Sequence, residues 1–291
     1  MRLPRFEYYA PKTLVSALSI LAEQQDGAHL FAGGTDVMVK MSAGRLKPKV
    51  IIHLMDVEGL DGIQFHPAQG LTLGATARLA EVAAHPDVLK NYPALAHAVQ
   101  VMANEEVRHM ATVAGNLCNA APSADTAPPL IAMRAEVTLV SVNGERRLPL
   151  DQFFVGPGLT AMQQGEVMTS IHVPPPRPKS GASYMRISAR CGVDIAAVGV
   201  GVMAEFNGKG CQEARIVMGA VAPIPMRAKK TEDLMKGQHW TEVLIKEGGD
   251  MAAEEAKPIS DVRASAEWRK KMIAVLTKRT LEEARERATR R

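Results

Sequence analysis

The chain has 291 residues, 46% of them hydrophobic, with 35 Lys and Arg against 31 Asp and Glu for a net charge of +4; a globular protein of about two domains follows, and disorder over most of the length is excluded. The longest uncharged apolar run, Ile195 to Ala204, is too short to span a membrane, and the stretch MRLPRFEYYAPK lacks a signal-peptide core, so a cytoplasmic location is expected. Cys118, Cys191 and Cys211 are odd in number and far apart, which excludes a disulfide framework and a four-cysteine iron–sulfur or zinc site and leaves inert, part-buried thiols.

TLVSALSILAEQQ, from Thr13, carries Leu14, Leu18 and Leu21 with Val15 and Ala22 beside them, the 3.6-residue stripe of an amphipathic helix. The apolar run HLFA is a short strand. Behind it, FAGGTDVMVK (residues 31–40) sets two adjacent glycines and a Thr–Asp pair ahead of a helix of about ten residues opened by Thr35 and Asp36. Gly33 and Gly34 can take positive φ and admit another group close to the main chain, and the helix start offers unpaired N–H groups and a positive dipole end. Two readings stay open for this turn: a seat for a phosphate, or a plain strand-to-helix connection. VIIHL (50–54) is the next strand, and the alternation makes a small α/β unit with largely parallel strands.

From Gly62 a strand pair joined by a Pro and Gly turn runs into a short helix, opening a second α/β subdomain. The helix NYPALAHAVQVMA leads to TVAGNLCNAAPSADTAPPLIAM (112–133), where a second small-residue turn, an Asn and Asp125 precede a short helix opened by Pro128 and Pro129. His109 stands beside this stretch in a packing or hydrogen-bonding role; the eight histidines contain neither HExxH nor an i, i+4 pair, which leaves zinc catalysis without a foothold. VPPPRP (173–178) is stiff, short of amide donors and the best domain boundary. Beyond it, strands at SYMRIS, AAVGVGVMAEF and EARIVMGAV precede two or three helices, the last running from about Ala264 to Ala288 with Trp268, Met272, Val275 and Leu276 on one side. This is an α+β domain with an antiparallel sheet. Arg285, Arg287, Arg290 and Arg291 alternate with Glu282, Glu283 and Glu286, which suits a solvated helix end better than a nucleic-acid groove.

Two glycine turns in adjacent subdomains suggest one extended anionic ligand clamped between them, and a dinucleotide diphosphate has that shape. Neither turn is a GxGxxG or GxxxxGK[ST] motif, so the single-turn nucleotide sites are not supported.

FAGGTD, TVAGNLCNAAPSADTAPPL, YMRISARCGVDIAAV, GAVAPIPMRAKKTEDLMKG and PISDVRASAEWRKKM, in that order, make the chain resemble the FAD-binding medium subunit of molybdenum hydroxylases, the family of the xanthine dehydrogenase and carbon monoxide dehydrogenase medium chains, over essentially its whole length. The resemblance implies an α+β fold: a two-subdomain FAD-binding domain of the vanillyl-alcohol-oxidase (PCMH) type at 1–176, divided at about 57/58, then a C-terminal antiparallel-sheet-plus-helices domain at 177–291. It implies that Ala32, Gly33, Gly34, Thr35 and Asp36 cradle the FAD diphosphate from one side and Thr112, Gly115 and Asn116 from the other, with Ala114 where the usual TIGGN has its first glycine. Asp125 falls at the family's acidic position near the ribose or the flavin; a plain helix-start charge is its other reading. Met168 falls where an aliphatic side chain packs on the isoalloxazine, Tyr184 near an aromatic that stacks on it, and Arg186 where a cation stabilises reduced flavin. For these three, ordinary packing and an ion pair of Arg186 with a carboxylate such as Asp194 remain open.

The function implied is that of an electron-transfer subunit. FAD would receive electrons from a small partner subunit with two 2Fe–2S clusters, themselves reduced by a large molybdenum-cofactor subunit, and pass them to an external acceptor, in a dimer of heterotrimers. The chain itself shows no catalytic residue, no molybdenum-cofactor signature and no cluster ligands. A self-sufficient flavoenzyme of the same fold, which would need its own substrate base, and a non-catalytic nucleotide-binding module are the alternatives.

Overall fold

The computed structural model describes residues 3–24, 27–190 and 193–290. Cys191 and Arg291, singled out above, lie outside the described residues.

Among the described residues three larger sheets follow one another along the chain, and Phe154–Gly156 pairs with Leu159–Thr160 in a small two-stranded one. In the first, strand Val50–His53 lies between Glu7–Tyr9 and Ala28–Phe31, parallel to both. Its Val–Ile–Ile run is buried on both faces, as a central parallel strand requires. The helix Leu14–Gln24 covers it with Ala17, Leu18 and Leu21. Val15, expected beside that stripe, is 74% exposed and Ala22 is exposed as well. Each helical residue turns by about 100°, and Ala17 rather than Val15 falls in line with Leu18 and Leu21. The strand Glu7–Tyr9 has only three residues and no apolar alternation, so its sequence carries no strand signal.

The second sheet has five antiparallel strands in the order Ile63–His66, Gly70–Gly74, Val167–Val173, Glu136–Ser141 and Gly144–Pro149. Four short helices, Leu79–Ala84, Pro93–Val101, Val113–Cys118 and Ala127–Ala132, contribute Leu79, Leu95, Leu117 and Leu130 to the core cluster that also holds Leu71 and Leu73 of the sheet. The pairing here is antiparallel throughout, so this part is α+β in character where the sequence reading gave α/β. Residues 174–177 then carry no regular structure and connect this sheet to the next.

The third sheet is antiparallel, in the order Ser180–Ser188, Ala196–Asn207, Gly210–Gly219 and Met226–Arg227. The run AAVGVGV reads as continuously apolar because both of its faces are covered. Val198, Val200 and Val202 pack with Ile273, Leu276 and Leu281 of the helix Ala266–Thr289. The glycines alternate onto the other face. A Cβ on Gly201 would come within 2.7 Å of the Pro128 backbone, and one on Gly219 within 2.9 Å of the Pro128 ring. The small residues therefore let the helix Ala127–Ala132 lie directly against the third sheet.

The long helix buries Arg269, Ile273, Thr277 and Thr280 together with Leu276. Relative to the expected stripe this face is shifted by about one residue, leaving Val275 38% exposed. Polar residues on the buried face concealed it. Arg269 satisfies the carbonyls of Ala197 and Ala220 at 3.0 and 2.8 Å, and Thr280 donates to the Leu276 carbonyl at 2.6 Å.

Candidate functional site

A cleft of about 1370 Å³ runs between the three sheets, larger than the roughly 300–1,000 Å³ of a site for a drug-sized ligand. Its first wall is the turn Ala32–Asp36, which leaves strand Ala28–Phe31 and enters the helix Val37–Ser42. Gly34 has φ 71°, a conformation that L side chains rarely adopt, and a Cβ there would fall 2.1 Å from the Phe31 ring. Gly33 serves a different purpose. Its Cβ would sit 2.0 Å from the Met110 carbonyl oxygen, so the first turn lies directly on the backbone that leads into the second. The structure thus brings together two turns separated by about eighty positions.

Among the described residues, none accepts a hydrogen bond from the N–H groups of Gly33, Gly34, Thr35 or Asp36. Asp36 stands at the N-cap of the following helix without capping it by its side chain. Burial pushes its carboxyl above the ordinary aspartate range, with Lys40 pulling it back. Four adjacent open amides beside a helix start form a concavity suited to an anion.

Thr112, Gly115 and Asn116 form the facing wall. Thr112 caps the helix Val113–Cys118: its Oγ1 accepts from the Gly115 N–H at 2.9 Å. That bond uses the Gly115 amide internally and leaves the Thr112 hydroxyl proton free to donate. Asn116 accepts from Thr126 Oγ1 through its side-chain oxygen at 2.6 Å, which turns its NH₂ to the donor role. Ala114 is buried inside the helix, where Ala needs no special φ.

Asp125 and Met168 also line the cleft, both nearly buried. Asp125 is held by two groups from the third sheet. Tyr184 donates to its Oδ1 at 2.6 Å, and Arg186 Nη1 lies 2.8 Å from its Oδ2. Burial pushes the Asp125 carboxyl up while the Arg186 charge and the two hydrogen bonds pull it down. The Tyr184 phenol is raised well above its ordinary value, first by burial and then by the Asp125 charge. Tyr184 is 2% exposed, and neither it nor Arg186 is among the described residues lining the cleft. The stacking surface expected of Tyr184 is consequently covered by packing. The carboxylate partner of Arg186 is Asp125, not Asp194, which accepts from it only through its backbone oxygen, at 2.5 Å. His109 is exposed, with Nε2 3.8 Å from Glu105 Oε1 on its own helix.

Several lining residues escaped the sequence reading. Glu166 closes the segment 161–166 against the cleft: Arg146 grips it at 2.6 and 2.9 Å, the Gln163 N–H adds a bond at 2.6 Å, and these contacts hold its carboxyl below the usual range. Arg190 and Asp194, paired at 3.3 Å, lie on the connection between the first two strands of the third sheet. Lys40 stands one helical turn past Asp36, a spacing that alone points to the same wall.

A cleft lined by two turns braced against each other, with an Asp125 carboxylate paired behind its wall, is the site of a protein that holds one sizeable, partly anionic ligand. The family model described as the FAD binding domain in molybdopterin dehydrogenase matches residues 4–176, and the one described as the CO dehydrogenase flavoprotein C-terminal domain matches residues 183–284. The chain is 29% identical to the carbon monoxide dehydrogenase medium chain of Hydrogenophaga pseudoflava, over 97% of each protein. To a putative xanthine dehydrogenase FAD-binding subunit of Escherichia coli strain K12 it is 28% identical, over 95% of each. The solved carbon monoxide dehydrogenase from Hydrogenophaga pseudoflava superposes with a TM-score of 0.94 at 30% identity over 99% of both chains. Quinoline 2-oxidoreductase from Pseudomonas putida 86 does so at 0.92 and 26%, again over 99% of both. The chain belongs to this family and carries the FAD-binding domain of the molybdopterin dehydrogenases followed by their flavoprotein C-terminal domain.

The residues present fit that cofactor. The open amides at 33–36 offer charge-free donors to a diphosphate, the cleft is roomy enough for a dinucleotide, and the apolar Met168 side chain suits a flat ring.

Proposed function

We propose that the chain is the FAD-binding electron-transfer subunit of a molybdenum-containing hydroxylase or dehydrogenase. Its partners in this reading are a small subunit with two 2Fe–2S clusters, a large molybdenum-cofactor subunit and an external electron acceptor, assembled as a dimer of heterotrimers in the cytoplasm. The chain divides functionally at 176/177, the FAD-binding domain first and the flavoprotein domain second. Bound FAD would supply an exchange point between one-electron centres and a two-electron acceptor.

The protein's own groups supply binding and position. The N–H groups of Gly33, Gly34, Thr35 and Asp36 would donate to the diphosphate oxygens, with the Thr112 hydroxyl and the Asn116 NH₂ closing on them from the facing wall. Met168 gives an apolar floor that excludes water from the ring. Asp125 remains near the cofactor as an acceptor, oriented by Tyr184 and Arg186, which act from behind it and do not touch the ligand. The pairing of Asp125 with Arg186 at 2.8 Å leaves the cleft with little net charge at Asp125.

The observation that carries this reading is the pair of turns braced through Gly33, with four open amides on one side. The near-complete coverage of the carbon monoxide dehydrogenase medium chain, itself a subunit by name, supports the assembly. Gentle purification from the source followed by native mass and metal analysis tests it. The expected species contains this chain with one FAD, iron-bearing and molybdenum-bearing partners; a lone chain that turns over a substrate without metal would replace the subunit reading with a self-sufficient flavoenzyme.

A further inference from the structure

The helix Val37–Ser42 that leaves the first turn carries Lys40 on the cleft wall, and Asn119, at the C-cap of the helix Val113–Cys118, lies on the opposite wall. Lys40 Nζ donates to Asn119 Oδ1 at 2.6 Å, a bond that links the two walls. An ammonium has three protons and no acceptor capacity, so one bond to Asn119 fixes its place and leaves two donors.

The two arginines on this cleft each have a carboxylate partner, Asp261 being shared with Arg269. Arg190 is paired with Asp194 at 3.3 Å and Arg263 with Asp261 at 3.4 Å. His29 shares the Lys40 wall, but burial and then the Lys40 charge push its imidazole below the ordinary histidine range, so it is neutral at pH 7. Asp36, one turn before Lys40, forms no ion pair with it among the described residues. Lys40 is therefore the lining cation whose hydrogen-bond partner is an uncharged amide. Its positive charge lies on the same cleft as the four open amides, and the Asp36 carboxyl, which that charge pulls down, is not in ion-pair contact with it.

We propose that Lys40 is a ligand of the cofactor's diphosphate, held in place by Asn119 and supplying the full positive charge that the backbone amides lack; this rests on the reading of the cleft as the FAD site. A full positive charge suits this role, since the amides contribute only partial charges and a diphosphate carries formal negative charge. Asn119 acts only through Lys40.

Flavin-free full-length protein, as wild type, Lys40→Met and Lys40→Arg, is titrated with FAD at low and high ionic strength, and the melting temperature of each flavin-free form is measured. Lys40→Met is expected to bind FAD about five-fold more weakly at low salt, the scale of one solvent-accessible ion pair. Its affinity should depend less on salt than that of the wild type, Lys40→Arg should restore most of the loss, and the melting temperatures should coincide. An unchanged affinity and salt dependence in Lys40→Met, or a loss that tracks a lowered melting temperature, overturns the assignment of Lys40 while the cleft remains the FAD site. Failure of the wild type to bind FAD overturns the reading of the cleft, and this inference with it.

Discussion

Two parts of the cleft wall use polarity in opposite ways. At the Ala32–Asp36 turn the donors are backbone amides left open, and little besides glycine stereochemistry holds them there. At Asp125 the carboxylate, phenol and guanidinium are spent on one another, where the second part of the chain meets the third sheet. Open backbone groups beside a helix start mark where a ligand charge goes; closed side-chain networks mark what keeps the walls apart at a fixed distance. A charged residue at a site position is thus not by itself a ligand contact.

The largest effect expected from breaking this contrast is at Arg186. Arg186→Met leaves the Asp125 carboxylate buried without its charge partner and should cost about 3–5 kcal/mol in denaturant unfolding. A loss below about 1 kcal/mol would place the pair in the class of exposed bridges and remove the contrast.

Gly34→Leu acts at the open turn. Its side chain meets the Phe31 ring and a φ of 71°, so the turn must deform. Strain of about 1–3 kcal/mol is expected, together with loss of flavin retention, while the third sheet's core is unaffected. Retained yellow colour in this variant would separate the turn from the cofactor. Tyr184→Phe should be milder than Arg186→Met, about 1–3 kcal/mol, because Asp125 keeps its cation and loses one neutral donor; equal losses in the two variants would show that the network fails as a unit.

Smallest is a pH effect at Asp261, which anchors Arg269 and accepts from the Arg263 and Ala264 amides. Those bonds hold its carboxyl down from 3.8 to about 2. A depressed carboxyl contributes stability that is present above the unfolded value of about 4 and is lost as pH falls through the folded value. Wild-type stability should therefore fall more steeply than that of Asp261→Asn between pH 4 and pH 2, as followed by thermal melts; parallel curves would contradict the anchor.

Much of this was readable from the chain. The turn at Gly33–Gly34 announces itself because only glycine meets a positive φ and a close backbone approach, and each glycine here answers to one of those needs. The alternation Val198, Gly199, Val200, Gly201, Val202 likewise records a strand covered on both faces. The misplaced face of the last helix shows the limit. Arg269 and Thr277 are buried through partners more than forty residues away or through packing, and no local period reveals that. Tyr184 and Arg186 sit at sequence positions that match a cofactor contact, yet their direction depends on the strand face they share and on Asp125 across the junction. The spacing from Asp36 is enough to put Lys40 on the turn's wall, but its partner, Asn119, lies on the other wall and is not legible locally.

The claim that the Ala32–Asp36 amides hold the cofactor is tested most directly by amide hydrogen exchange on the full chain with and without FAD. Open amides exchange readily, and those in hydrogen-bonded strands are already protected. Addition of FAD should slow exchange strongly at Gly33, Gly34, Thr35 and Asp36 and leave the strand Ser180–Ser188 unchanged. Stoichiometric FAD binding with no protection at 33–36 would contradict the account.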